Sequence, residues 1–144
     1  EPWNVDVALL RGGRFGTTIF VPEPDFDARK EIFEGILGSK PVADDVAVEE
    51  LVRITDGFTG ADVMTMCEKA TDYALKDYFK TKELRKITRA DFEKASVEIT
   101  TFVKPWYKKA CEAIVSLKLE EQFGKVLEQD VVNAGAKVKV FEVP

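Results

Sequence analysis

Four amphipathic stripes follow one another between Asp25 and Thr101, and they confine that stretch to a small helical bundle. Phe26, Ile32, Phe33, Ile36 and Leu37 share one helical face, and Gly38 with Lys40 and Pro41 ends the run. Val48, Leu51, Val52 and Ile54 form a shorter stripe. The longest carries Met64, Cys67, Thr71, Ala74, Leu75 and Tyr78 at steps of three and four, behind a capping box of Thr59 and Asp62. Thr88 and Asp91 repeat that device ahead of Phe92, Ala95 and Ile99. With connectors this short, each apolar face can be buried only by the others, which predicts a compact four-helix unit over residues 25–102.

The flanks read differently. Residues 1–24 predict a loop, one short β-branched strand over Thr17 to Val21, and a stop at Pro22, Glu23 and Pro24. A single strand is not a sheet, so this one has lost its partners or borrows them. In residues 103–144, Pro105 suits the first turn of a helix with Trp106, Ala110, Ala113, Ile114 and Leu117 on one side. Core anchoring against the bundle is the expectation for Trp106 and Tyr107. Phe123, Val126, Leu127 and Val131 continue the pattern toward Gly135, and Lys137 to Val143 alternates as an edge-adding strand would.

Composition excludes several functions. The formal charge is −5 and histidine is absent, so nucleic acid and anionic membranes are poor partners, and the commonest catalytic base and metal ligand is missing. No metal site is expected. Cys67 and Cys111 lie far apart in helical patterns, as buried thiols in a reducing compartment would. No apolar run is long enough for a membrane span and no signal pattern opens the chain, so the expected location is cytoplasmic.

Chemistry concentrates in one loop. Arg11 and Arg14 stand in LLRGGRFG, ahead of the predicted strand. A guanidinium fork binds phosphate oxygens bidentately and keeps its charge. Yet no GxxxxGK[ST] phosphate loop occurs anywhere in the sequence, nor an apolar run ending in paired acids for magnesium.

The ordered segments PWNVDVALLRGGRF, TIFVPEPDFDARKEIF, GFTGADV and ITRADFEKA resemble the second half of an AAA-family ATPase module. They are similar to enzymes of the valosin-containing-protein, proteasomal-ATPase and katanin type. The resemblance covers roughly residues 2–102. It implies a mainly α fold: a four-helix AAA lid preceded by a remnant strand of the α/β ATPase subdomain and followed by a C-terminal helical extension. The chain then begins in mid-module, as a fragment of a longer protein would.

On that resemblance Arg11 and Arg14 match the arginine fingers that one subunit projects into its neighbour's nucleotide site, tying catalysis to assembly. Gly12 and Gly16 depart from the proline and aspartate common in the family there. Gly60 and Ala61 match lid residues that contact adenine or ribose, and Ile32 and Ile36 fall where the family lines the base pocket. The implied cofactor is ATP or ADP with magnesium in the intact protein, with none held tightly by this chain, which alone is expected not to hydrolyse ATP. The implied partners are neighbouring subunits, as a homo-hexamer, and a protein substrate, without nucleic acid or membrane insertion. Two alternatives stand beside this reading: a non-catalytic regulatory module built on a AAA lid, and a helical docking domain sharing only the fold. The cluster Lys80, Lys82, Arg85, Lys86 and Arg89 is expected to be a solvated connector, and Asp25 with Arg29 a local helix-start pair.

Overall fold

Asp25 opens the first helix by accepting the amide of Ala28 on its carboxylate at 2.9 Å, and α1 runs from Phe26 to Leu37. These coordinates are a computed structural model, which describes residues 1–10, 13–15 and 21–117. After α1 come α2 (Val48–Ile54), α3 (Gly60–Thr81), α4 (Arg89–Val97) and α5 (Val103–Leu117), with two short 3-10 turns at Pro2–Asn4 and Val7–Leu10. The predicted strand over Thr17 to Val21 lies, except for Val21, outside the described residues, as does everything beyond Leu117. Among the described residues no strand forms; a single parallel bridge pairs Val42 with Ile87.

Helix ends follow local chemistry. At α3 the Thr59 hydroxyl accepts the Asp62 amide while the Asp62 carboxylate accepts the Thr59 amide, a reciprocal box. At α4 Thr88 and Asp91 form the second capping box, in which Asp91 accepts both the amide and the hydroxyl of Thr88, each at 2.9 Å. The Asp91 amide also reaches the Thr88 carbonyl at 3.1 Å. α2 stops where the buried Thr55 hydroxyl donates back to the carbonyls of Leu51 and Val52. α3 ends on Lys82, which adopts a left-handed conformation (φ 63°) to return its amide to the Tyr78 carbonyl.

The chain divides into two compact units, residues 23–103 and residues 1–22 with 104–144. In the first, α3 packs on α1 and α4, and α2 packs on α1 and α4. Phe33, Val52, Val63, Met66, Cys67, Ala70, Phe92 and Ala95 are fully buried, with Leu51 and Ile87 at 1%. The buried stripe of α3 is therefore Val63, Met66, Cys67, Ala70 and Ala74. The expected stripe was set about one residue off: Met64 and Leu75 are nearly half exposed. A long helix sandwiched by two others buries a face that neither sequence neighbour defines alone.

In the second unit the rings of Trp3 and Trp106 lie 6.0 Å apart, Trp106 stands edge-on to Tyr107, and Glu1 pairs with Lys109. Among the described side chains of α5, Tyr107 and Ala110 are buried and Trp106 is half-buried.

Candidate functional site

The loop Thr55 to Thr59 delivers Gly60 to the start of α3. Thr55 and Phe58 are buried. Gly57 takes a left-handed φ of 75°, a region where a side chain is strained. Its carbonyl accepts the Thr101 hydroxyl at 3.0 Å. Asp56 receives Arg29 at 3.4 Å.

Gly60 is half-buried at the first helical position, and among the described residues a Cβ placed there would meet only the Ile32 Cδ1 atom, at 3.8 Å. Ala61 follows, exposed. The structure thus brings Ile32 and Gly60 together beside a helix N-terminus, where amides and dipole favour an anionic ligand. Ile36, one turn further along α1, is half-buried like Ile32 and packs against the core. A flat apolar ring can rest on Ile32 and slide against the Gly60 backbone because no side chain intervenes.

Arg29 differs from its expectation. It does not pair with Asp25; its Nη1 donates to the Pro24 carbonyl at 2.8 Å, its Nη2 approaches the Val52 carbonyl and Asp56 at 3.4 Å, and its buried Nε has no partner. With Phe33 and Leu37 it forms the buried face of α1. A charged residue on an apolar stripe was the signal available in the sequence.

Arg14 lies in the other unit. The chain turns at Gly13 with φ of 87°, the Phe15 amide closes the turn on the Leu9 carbonyl at 2.9 Å, and the exposed Arg14 donates Nη1 to the Ala8 carbonyl at 3.0 Å. The guanidinium keeps most of its donors for another acceptor. Arg11 lies outside the described residues.

The basic cluster after α3 is not a solvated connector throughout. Arg85 grips Asp91 with two nitrogens, at 2.6 and 2.9 Å, and Asp77 with two more contacts, at 2.7 and 3.0 Å. Burial opposes ionisation of Asp91, but the Arg85 fork and the Thr88 donors outweigh it and hold the carboxyl below its usual value. Arg89 pairs with Glu50 and Glu93, and Lys86 with Asp44. Tyr73 donates to Glu98, which pushes its hydroxyl up to about 12, under the Lys94 ammonium at 4.0 Å. These contacts hold α3, α4 and their connector; none of them points to chemistry.

The AAA+ lid domain family matches residues 45–94. This part of the chain is an AAA+ lid domain. The cell division cycle protein 48 homolog of Archaeoglobus fulgidus is 41% identical over 105 residues, 66% of this chain and 14% of that protein. The proteasome-activating nucleotidase of the same organism is 38% identical over 101 residues, 70% of this chain and 24% of that protein. A solved chain described under the structural basis for katanin self-assembly superposes with a TM-score of 0.61 at 31% identity, covering 69% of this chain and 38% of that one. The chain therefore spans a quarter or less of these two relatives' length. The mainly helical lid is as the sequence implied, with Ile32 on its first helix and Gly60 at the head of its third.

Proposed function

We propose that this chain supplies the nucleotide-facing lid and the arginine-finger loop of an ATP-hydrolysing, oligomeric machine that remodels or unfolds proteins. The observation that carries the reading is the open approach to the Gly60 backbone beside Ile32, at the head of α3, in a lid whose relatives include a nucleotidase by name. Adenine or ribose would lie against Ile32, Gly60 and Ala61, with Ile36 extending the apolar floor. Among the described residues no cluster of three or more His, Cys, Asp or Glu is placed to hold a metal. Magnesium and the phosphate loop would come from elsewhere in the intact polypeptide.

Arg14, with Arg11 beside it in sequence, would act on a neighbouring subunit. Charge spreads over the γ-phosphoryl oxygens during transfer, and a guanidinium delivered in trans stabilises it where water is excluded. Arg14 would exchange its bond to Ala8 for those oxygens. The described self-assembly of the katanin structure supports an oligomer of like subunits, and a hexamer is the proposed form. The reading includes a cytoplasmic location, which the free, buried Cys67 suits.

The test is nucleotide affinity of the intact protein carrying Gly60→Val. A Cβ at this position meets only an ordinary contact with Ile32, so melting should stay within about 2 °C of wild type. ADP affinity should fall about tenfold as the methyl groups occupy the ring's approach. Unchanged affinity removes the nucleotide role of the lid, and an intact protein without ATP turnover favours a regulatory module.

A further inference from the structure

The lid leaves a second apolar stripe on α3 uncovered. Successive residues of a helix are about 100° apart, so Met64, Thr71, Leu75 and Phe79 share one face, turned away from the buried Val63, Met66, Ala70 and Ala74. Met64 is 45% exposed, Leu75 46% and Phe79 62%. Thr71 makes the middle of the stripe polar, through bonds with the Cys67 carbonyl and the Lys40 ammonium. The apolar surface is therefore concentrated at the C-terminal end, where Leu75 and Phe79 stand one turn apart and the Tyr78 ring lies 5.9 Å from that of Phe79. A contiguous exposed apolar patch with a polar rim marks a surface on which another molecule packs.

The rim is cationic, and its charges are unspent. Elsewhere in the lid Lys30, Lys69, Lys86 and Arg89 each pair with a carboxylate. Among the described residues Lys76, Lys80 and Lys82 form no ion pair; Lys76 and Lys82 lie over the Tyr73 and Phe79 rings instead, at 5.6 and 5.9 Å. Asp77, between Lys76 and Lys80 in sequence, is taken by Arg85. Asp72 and Glu83 bound the set in sequence, which leaves this end of α3 net positive in a chain of formal charge −5. A second copy of the lid is poorly suited to answer it. Asp44, Glu49 and Glu50 are already held by Lys86, Lys30 and Arg89, and those pairs would have to break first.

We propose that the C-terminal half of α3 is a docking face for a separate protein that presents an acidic amphipathic helix with large apolar side chains one turn apart. Leu75 and Phe79 receive the apolar anchors, and Lys76, Lys80 and Lys82 receive the carboxylates beside them. Apolar burial supplies the affinity, while the charges set orientation and suppress wrong partners. Phe79 stands about 28 Å along the helix from Gly60, so the face can recruit a partner without touching a nucleotide there, and the inference does not depend on that reading.

The probe is a labelled synthetic helix of about 18 residues, with Leu and Phe at helical spacing on one face and Glu on its flanks; its control carries Lys in place of Glu. Fluorescence anisotropy against the intact protein should give a Kd of about 10–100 µM for the Glu peptide and about tenfold weaker binding for the Lys peptide. Phe79→Ser should weaken the Glu peptide about tenfold, with melting within about 2 °C of wild type because the ring is exposed. Lys80→Glu together with Lys82→Glu should do the same, and decides alone if Phe79→Ser does not fold. Equal binding of the two peptides, or wild-type affinity in both variants, overturns the proposal. Sedimentation should show the same assembly for wild type and Phe79→Ser; a smaller assembly in the variant assigns the face to contact between copies and overturns it. Flotation with phosphatidylserine vesicles that Phe79→Ser abolishes would assign the face to a membrane and overturn it as well.

Discussion

Asp91 shows how one carboxylate can close a fold. It caps α4 through Thr88 and receives the Arg85 fork, which also binds Asp77 on α3. Its pKa is held down in the folded protein, so its contribution is complete above the unfolded value of about 3.9 and is lost as pH falls through the lower folded value. Asp91→Asn should cost about 1–3 kcal/mol at neutral pH, since charge-assisted bonds at a buried site are lost. Melting curves against pH check the sign: the gap between wild type and variant should begin to narrow below about pH 4 and vanish once the pH is below the folded value, and a gap that stays constant throughout acidification contradicts the assignment. Cys67 makes a second test at this scale. Burial pushes its thiol up to about 12, which leaves almost no nucleophilic thiolate at neutral pH. Its labelling, followed by peptide mapping, should therefore proceed only through opening of α3 and slow as the lid is stabilised.

Helices were legible where periodicity and capping agree. α1, α2, α3 and α4 all appear where stripes and breakers placed them, because those signals are local. What tertiary context decides was not legible. The α3 stripe turned once α1 and α4 both claimed it, and the Asp91 that caps α4 is shared with Arg85. Arg29 stood on the apolar face of α1 in plain view, but its partners come from Pro24 and the α2 end, and no spacing rule connects those. Arg85 was read with its charged neighbours because its acceptors lie eight residues before it and six after. The end of α3 offers a prediction at this scale. Lys82 holds a left-handed conformation that glycine adopts freely, so Lys82→Gly should stabilise the lid by about 0.5–1 kcal/mol in thermal or denaturant unfolding. A loss of stability would mean that the contact of its ammonium with the Phe79 ring outweighs the backbone strain.

For the molecule as a whole, the division of labour follows the two units. The lid places Ile32 beside Gly60, and in the other unit the chain turns at Gly13 and the exposed Arg14 bonds the Ala8 carbonyl. The motif order in the sequence carried both features, while the bonds of Arg29 and Thr101 to the loop before Gly60 emerged only in three dimensions. The most direct test of the central claim is Arg14→Ala in the intact protein, with nucleotide affinity and ATP turnover measured on the same preparation. Affinity within about threefold of wild type together with turnover reduced by about 10³ is the predicted result; turnover equal to wild type would contradict it.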